Sequence, residues 1–350
     1  MKRSEVVLAL VISFGISVFG FWKWTRPRDY AMATSEELVS GPECQCYSKK
    51  ADKFYNFCYP DPQNPGSYGM KFNCSFVETL EYLDLLEDNH TIPFSDSIKN
   101  ESSVTFVSAA SEDHFNYSMI SYNAVRSFYP NHKYVLFGLN LSSEFTKNLP
   151  WEDPHFEFRT FNLSPYPEYV KKFKKYHFKG LVMAEAIRDY PVVWWIDANG
   201  EMIKPGVIRK WFKEVSENRM SKKFSQLTSF VGAGHTNWAV MHQDLLRYFP
   251  SNSMKVLRTE YQYSSGNLFV PRTAYNKKIV KWWALCSLTD GCINPPTAQL
   301  KCTFRKDNFH GSANCYRYDQ SVLNILLIND FQDSSRFYGD TLDRSFRRIL

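Results

Sequence analysis

Short apolar runs alternate with helical patterns through the middle of this chain. The runs with strand character are Val104–Ser108, Lys133–Gly138, Phe156–Phe161 and Val192–Ile196. Between them, apolar residues recur at helical spacing over Met119–Phe128, and Phe178–Tyr190 is rich in helix formers up to Pro191. Strands that alternate with helices in this way predict an α/β fold with a mostly parallel central sheet flanked by helices.

Outside this middle region the pattern is less regular. The strand-like segments there are Phe230–Gly234 and Leu268–Pro271, and the helical ones are Val77–Leu86, Ile279–Leu288 and Asp319–Ile328. Leu268 follows a turn at Ser264–Gly266. Asp319 is a natural N-cap for the last of these helices.

The N-terminus carries an uncharged, mostly apolar run from Val6 to Trp22, with basic residues on both sides. The run reaches the short end of the roughly 17–25 residues that a membrane-spanning helix needs. It therefore predicts an uncleaved signal anchor. A signal peptide cleaved near Gly20 is the alternative, because small residues occur there.

Cysteine usage indicates an oxidising compartment. The chain has 8 cysteines in two groups: Cys44, Cys46, Cys58 and Cys74, then Cys286, Cys292, Cys302 and Cys315. Two local disulfides per group are the simplest interpretation of an even count. A zinc site is the alternative, but neither group has the paired C-x-x-C spacing of such a site.

Asn-x-Ser/Thr sequons support the same compartment. They lie at Asn73, Asn89, Asn100, Asn116, Asn140 and Asn162. The predicted organisation is a cytosolic tail and anchor in 1–22, a stem in 23–43, a disulfide-tied cap in 44–100, the main luminal domain in 101–335 and a tail in 336–350. Such a type II membrane protein would reside in the Golgi or endoplasmic reticulum, whereas cleavage near Gly20 would give a secreted structural glycoprotein.

Charge and motifs narrow the function classes. The formal net charge of +6 is spread along the chain. No zinc-finger or RNA-binding signature occurs, so nucleic-acid binding is not expected. The motifs of serine hydrolases, P-loop enzymes, zinc proteases and kinases are also absent from the sequence.

The strand Val192–Ile196 ends abruptly at Asp197, and Asn199 follows two residues later. Ligands in open α/β sheets collect at the carboxyl ends of strands. A carboxylate and an amide oxygen there suit Mg²⁺ or Mn²⁺, which prefer oxygen ligands. The alternative is structural: Asp197 caps a turn that Asn199 and Gly200 form.

Several motifs resemble known families. Trp282–Cys286, Cys292–Pro296, Gln299–Cys302 and Cys315–Leu327 are similar to a nematode-rich family of uncharacterised single-pass membrane proteins, over about residues 100–330. The helix, strand and Asp-x-Asx arrangement resembles the DxD region of GT-A glycosyltransferases. That resemblance implies a nucleotide-sugar donor, a glycan, protein or lipid acceptor, and Mn²⁺ or Mg²⁺ as cofactor.

The resemblance also implies roles for single residues. Asp197 and Asn199 occupy the DxD places, although an amide replaces the second carboxylate. Asp319 and Gln320 match an Asp-Gln pair whose polar groups would bind sugar hydroxyls, with Arg317 beside them. Helix capping is the alternative role for Asp319.

Two further predictions concern basic side chains. Lys179, which precedes the Asp197 strand, would meet a diphosphate. The alternative is a lysine on the helix surface. His235, His242 and His310 are candidates for a further metal ligand, and no motif selects one of them.

A non-catalytic binding protein or pseudoenzyme on the same fold is the second interpretation of the function. Asn199 favours it, because an amide stands where a second carboxylate would bind a metal.

Overall fold

The structure is a computed structural model and describes residues 41–304, 311–342 and 344–349. The predicted anchor, most of the predicted stem and His310 lie outside the described residues. No helix within the described ranges combines the length and apolarity needed to cross a bilayer.

Six of the twelve strands in the described ranges form the central sheet. They are β3 Val104–Ala110, β4 Tyr134–Gly138, β5 Phe156–Thr160, β6 Val192–Ile196, β8 Thr228–Ser229 and β11 Asn267–Pro271. Their order in the sheet is β5–β4–β3–β6–β11–β8. Strands β3 to β6 are parallel, and β11 is antiparallel to both β6 and β8. The prediction of a mostly parallel α/β sheet is confirmed.

The remaining strands form three small antiparallel pairs within the same ranges. They are β1 Gln45–Ser48 with β2 Lys53–Asn56, β7 Gly200–Met202 with β12 Phe346–Arg348, and β9 Gly232–Thr236 with β10 Tyr261–Tyr263. The segment predicted as a C-terminal tail thus contains a strand. This segment lies beside the turn that follows Asp197, where the Ile349 N–H donates to the carbonyl of Asn199 at 2.8 Å.

Helices cover both faces of the sheet. The long helices are α1 Phe115–Phe128, α2 His177–Asp189, α3 Val207–Glu214, α4 Ala274–Ser287 and α5 Tyr318–Phe331. Short helical segments occupy Val77–Tyr82, Phe94–Ser97, Ser143–Thr146, Leu245–Tyr248, Met254–Thr259 and Asp290–Ile293. Trp195 packs in the cluster with α2, α4 and α5, whereas its neighbour Trp194 packs with α1 and α3 on the opposite face.

Four disulfides tie the chain locally: Cys44–Cys58, Cys46–Cys74, Cys286–Cys292 and Cys302–Cys315. Two local pairs in each cysteine group were predicted, and this is confirmed. The first two bonds brace the β1–β2 hairpin. Phe57 and Phe72 from this region pack in the same cluster as Trp282 of α4.

Candidate functional site

A buried lysine joins two carboxylates at the carboxyl edge of the sheet. Lys179 is 1% exposed. Its Nζ lies 2.7 Å from Asp197 Oδ1 and 3.0 Å from Asp319 Oδ2, and it donates to Ser265 Oγ at 3.1 Å. The Ser265 hydroxyl in turn donates to Asp319 Oδ2 at 2.6 Å. We call these four residues the Lys179 centre.

The fold explains why these residues meet. Helix α2 leads into the parallel strand β6, so its N-terminal end, with Lys179, lies at the edge where β6 ends in Asp197. Strand β11 runs antiparallel to β6 and pairs Asn267 with Ile196. The turn before β11 is therefore brought to the same edge, where the Asp197 N–H donates to the carbonyl of Gly266 at 2.8 Å.

Asp319 reaches the centre from the first turn of α5. Carboxylates are favoured there because the N-terminal end of a helix carries partial positive charge. The prediction that Asp319 is the N-cap is wrong: Arg317 holds that position, and its side chain makes no capping hydrogen bond. Asp319 instead uses its side chain on Lys179 and Ser265.

Electrostatics keep the lysine charged. Burial alone would lower the pKa of Lys179, but the negative charges of Asp197 and Asp319 outweigh it, so the pKa lies above its ordinary value. Because Lys179 is buried, its interpretation as a lysine on the helix surface is wrong. One ammonium and two carboxylates leave the centre with a formal charge of −1.

The two carboxylates differ in exposure. The Asp319 side chain is 7% exposed, and that of Asp197 is 35% exposed. Asp197 Oδ1 also accepts from Trp195 Nε1 at 2.7 Å, but its Oδ2 makes no hydrogen bond to a described residue. A carboxylate that is fixed through one oxygen and free at the other can accept a hydrogen bond from a ligand hydroxyl.

Gly266 provides the room for that free oxygen. A Cβ atom at Gly266 would lie 2.9 Å from Asp197 Oδ2 and 3.1 Å from Ser264 Oγ. Both distances are tighter than ordinary contacts between a Cβ and its neighbours. Because Gly266 has no side chain, the Asp197 carboxylate can occupy this position without a clash.

Two strained residues stand at the helix starts that build the centre. Tyr176 precedes α2 with φ +59°, and Tyr318 opens α5 with φ +28°. Their ring centroids are 5.6 Å apart. Burial, followed by the charges of Asp319 and Asp197, raises the pKa of Tyr176. Left-handed backbone at bulky residues persists where the surroundings impose it, often at functional sites.

The structure places the other predicted site residues around this centre. Gln320 donates to the side chain of Gln262 in β10 and so is partly committed to packing α5 against that strand. The Arg317 guanidinium is half-buried and makes no hydrogen bond or ion pair to a described residue. Among the described residues, Arg317 is therefore a cation beside Asp319 whose guanidinium has no hydrogen-bond partner.

The predicted metal pair is only partly assembled. Asn199 is half-exposed in the turn after Asp197, and its carbonyl accepts from Ile349. Within the described residues, no group of three or more His, Cys, Asp or Glu side chains is arranged to hold a metal ion. Mg²⁺ is commonly bound by one or two carboxylates together with substrate phosphates. Among the described residues, Asp197 and Asn199 are thus not part of a complete metal site.

The histidines lie in other environments. His235 is buried and stacks on Phe304 with 5.3 Å between ring centroids. Burial lowers its pKa. His242 contacts Thr297 through Nε2. Neither makes a hydrogen bond or ion pair to Asp197 among the described contacts.

Sequence reasoning missed three residues of the site. Trp195 could have been found, because a residue two places before Asp197 in a strand points to the same face. Tyr176 and Ser265 gave no signal, since their roles depend on a left-handed φ and on the direction of β11.

Comparison with protein families gives a match over part of the chain. A family described as a protein of unknown function (DUF1647) matches residues 44–184, less than half of the chain. This confirms a similarity to a family of unknown function. The match lies N-terminal to the Trp282–Leu327 motifs on which the resemblance was based. No curated protein matches the sequence.

Many solved structures show some likeness to this chain, and three of them serve as examples. Galactosyltransferase LgtC with donor and acceptor sugar analogs is 14% identical, covering 63% of this chain and 70% of that one, with a TM-score of 0.36. An active-site mutant of LgtC is 13% identical over 63% and 69%, with a TM-score of 0.35. Mouse xyloside xylosyltransferase 1 in its apo form is 9% identical over 68% and 84%, with a TM-score of 0.38. Likenesses this low carry no weight for the activity of this chain.

Proposed function

We propose that this protein transfers a sugar from a nucleotide-sugar donor to a glycan, protein or lipid acceptor in the lumen of the secretory pathway. One observation carries the proposal: Lys179 is buried between Asp197 and Asp319 where β6 ends, while the Asp197 side chain is 35% exposed and its Oδ2 makes no hydrogen bond to a described residue. Burying such a group costs stability unless every charge is compensated. A costly, charged group at the ligand-binding edge of an α/β sheet is a candidate for function.

The proposed roles follow from the contacts. Asp197 Oδ2 accepts hydrogen bonds from hydroxyls of the donor, and so does Asp319 Oδ1, which makes no hydrogen bond to a described residue. A site built in this way rejects ligands that lack the hydroxyl, because a polar group would be left unpaired. Lys179 is too enclosed to meet a diphosphate, so we assign it the positioning of both carboxylates.

Arg317 is the proposed diphosphate contact. Its planar guanidinium can bind phosphate oxygens through two N–H groups at once. The residues also suit Mn²⁺ or Mg²⁺ shared between Asp197, Asn199 and the donor's diphosphate. Such an ion would neutralise charge on the leaving diphosphate. Cation binding is therefore expected only in the presence of a nucleotide ligand.

The luminal location is part of the proposal. Four disulfides support it. All six sequon asparagines are exposed, so each is accessible to glycosylation. We propose that Val6–Trp22 anchors the chain as a type II protein of the Golgi or endoplasmic reticulum. N-terminal sequencing of the mature protein separates this from secretion, since cleavage near Gly20 would contradict the anchor.

Calorimetry of the glycosylated luminal part with Mn²⁺ and a panel of nucleotide sugars tests the proposed activity. We expect at least one donor to bind and to be turned over. Asp197→Ala should abolish turnover while the protein still folds and is secreted. The control is Glu217→Ala, which removes a carboxylate that is 56% exposed and remote in sequence from the centre. Normal turnover by Asp197→Ala would exclude Asp197 from the mechanism.

A non-catalytic binding protein is the second candidate. The observation that favours it is Asn199, which supplies a neutral oxygen where a second carboxylate would bind a cation more tightly. In the same calorimetric experiment, failure of every donor to bind would favour this candidate and contradict the proposed transferase.

A further inference from the structure

A cavity lies apart from the Lys179 centre. It is an open cleft of about 540 Å³, and no member of the centre lines it. Its walls include Phe72, Phe76, Tyr169, Tyr248, Asn73 and Asp290. This volume is in the range of roughly 300–1,000 Å³ that is typical of small-molecule sites.

Four of the nine residues that line the cleft are aromatic. Phe72 and Tyr248 are stacked with centroids 5.4 Å apart. Phe76, Tyr169 and Tyr248 are only partly buried, so ring surface remains uncovered by protein. The C–H faces of pyranose sugars are apolar and pack on such rings, while their hydroxyls need polar partners nearby.

Asp290 supplies a polar partner in the same cleft. Its side chain is 44% exposed. The Oδ1 atom lies 3.1 Å from His177 Nε2 and accepts from Asn294 Nδ2 at 3.1 Å. The Oδ2 atom makes no hydrogen bond to a described residue and can accept one from a hydroxyl or an acetamido N–H. Aromatic rings with one oriented carboxylate are chemistry suited to a carbohydrate.

Asn73 is the asparagine of a sequon and also part of the cleft wall. Its side chain is exposed, and Oδ1 accepts from the Ser75 N–H at 2.9 Å. The Nδ2 atom, to which a glycan is attached, makes no hydrogen bond to a described residue. The attachment point therefore opens on the cleft.

We propose that the cleft is a carbohydrate site occupied by the chain's own N-linked glycan at Asn73. Attachment follows the general reaction: Asn73 Nδ2 bonds to C1 of a lipid-diphosphate-linked oligosaccharide, the C1–O bond breaks, the lipid diphosphate leaves and Nδ2 loses one proton. The first two N-acetylglucosamine residues then pack on the aromatic wall, with Asp290 accepting a hydrogen bond.

The matched control is Asn116, an exposed sequon asparagine on α1 that does not line the cleft. The full chain is expressed in glycosylating cells, and site occupancy is read by mass spectrometry during native digestion with an endoglycosidase that cuts the glycan core. We expect the Asn73 glycan to be cut about tenfold more slowly than that on Asn116, which corresponds to about 1.4 kcal/mol of packing.

Two kinds of variant separate the glycan from the protein. Ser75→Ala removes the glycan but keeps the hydrogen bond from the Ser75 N–H to Asn73 Oδ1, and it should lower Tm by roughly 2 °C, whereas Asn116→Gln should not. Asn73→Gln also disturbs that capping bond, so it should lower Tm at least as much. Tyr248→Leu keeps the sequon but removes a ring, so cutting at Asn73 should accelerate to the rate at Asn116. Circular dichroism establishes that this variant is folded.

Two results would overturn the inference: absence of a glycan on Asn73, or equal cutting rates at Asn73 and Asn116 in the folded wild-type protein. Neither result bears on donor binding at the Lys179 centre. Conversely, a protein that binds no nucleotide sugar can still show protection at Asn73, so the two proposals fail independently.

Discussion

Two buried lysines on neighbouring helices show different uses of the same side chain. Lys179 of α2 contacts two carboxylates and a hydroxyl. Lys277 of α4 is 3% exposed, lies 2.9 Å from Asp84 Oδ2 and donates to the carbonyl of Asn89 at 2.8 Å. Both satisfy the rule that a buried charge must be paired.

The difference lies in what each lysine joins. Asp84 and Asn89 belong to the region predicted as an N-terminal cap, so Lys277 fastens that region to α4. One ammonium balances one carboxylate there. The Lys179 centre has an excess carboxylate, and one of its carboxylates is open to solvent at the sheet's carboxyl edge. The first arrangement suits stability alone, whereas the second leaves charge available for a ligand.

Replacing each lysine by methionine should give the largest effects. Lys179→Met leaves Asp197 and the 7%-exposed Asp319 facing each other without a cation. We expect a loss of about 3–5 kcal/mol in the free energy of unfolding, together with loss of donor turnover. Lys277→Met leaves one carboxylate that is 24% exposed. Its expected cost is about 1–3 kcal/mol, with normal turnover.

Denaturant titration at neutral pH measures both costs. Equal losses in the free energy of unfolding for the two variants would show that the additional carboxylate in the Lys179 centre has no effect on stability.

Replacing one carboxylate of each site by an amide should reverse the ranking of the stability losses, so that the Lys277 site loses more than the Lys179 centre. Asp197→Asn leaves Lys179 with Asp319, a balanced pair, so we expect a stability loss of only about 1 kcal/mol. Turnover should fall by about 10²–10³-fold, because a charged ligand contact is lost. Asp84→Asn removes the single ion-pair partner of Lys277 among the described residues. It should cost about 3–5 kcal/mol and leave turnover per folded molecule unchanged.

Steady-state kinetics and unfolding curves on the same samples test this reversal. A stable Asp197→Asn protein with wild-type turnover would show that Asp197 is not part of the active site.

The pH dependence of stability sharpens the comparison further. The pKa of Lys179 is raised in the folded protein, so its contribution is complete below the unfolded value of about 10.4 and is lost as pH rises through the folded pKa. The stability difference between wild type and Lys179→Met should therefore stay constant from about pH 8 to pH 10 and decline only above that range. A decline that begins below about pH 9 would contradict a raised pKa.

The parallel part of the sheet could be predicted because its strands are buried on both faces. Val192–Ile196 is therefore a continuous apolar run, and Val104–Ala110 is a mostly apolar one, between helical patterns. The antiparallel direction of β11 could not be predicted, since it depends on how the chain returns to the sheet. Strands β8, β9 and β10 are two to five residues long and were predicted only in part, because short strands leave little periodicity.

The candidate site shows the same division. Asp197, Lys179 and Asp319 stood out because ionisable residues next to apolar segments are conspicuous in sequence. Their mutual contacts were not predicted, and Lys179 was assigned to a diphosphate instead. Ser265 entered the site through the pairing of β11 with β6, which is a tertiary feature. Local patterns thus identified the charged residues, while the return of the chain decided what they contact.

The smallest predicted effect concerns the space beside Asp197. Gly266→Ala places a Cβ 2.9 Å from Asp197 Oδ2, so the carboxylate must move by a few tenths of an ångström. We expect a stability loss of about 1 kcal/mol and a fall in turnover of about tenfold, because catalysis depends on position at this scale. Gly232→Ala is the control, since its Cβ would meet no atom within 4 Å. The Lys277 pair should be indifferent to both changes, so the double variant Gly266→Ala/Asp84→Asn should show additive stability losses; a clear departure from additivity would mean that the two lysine sites are coupled.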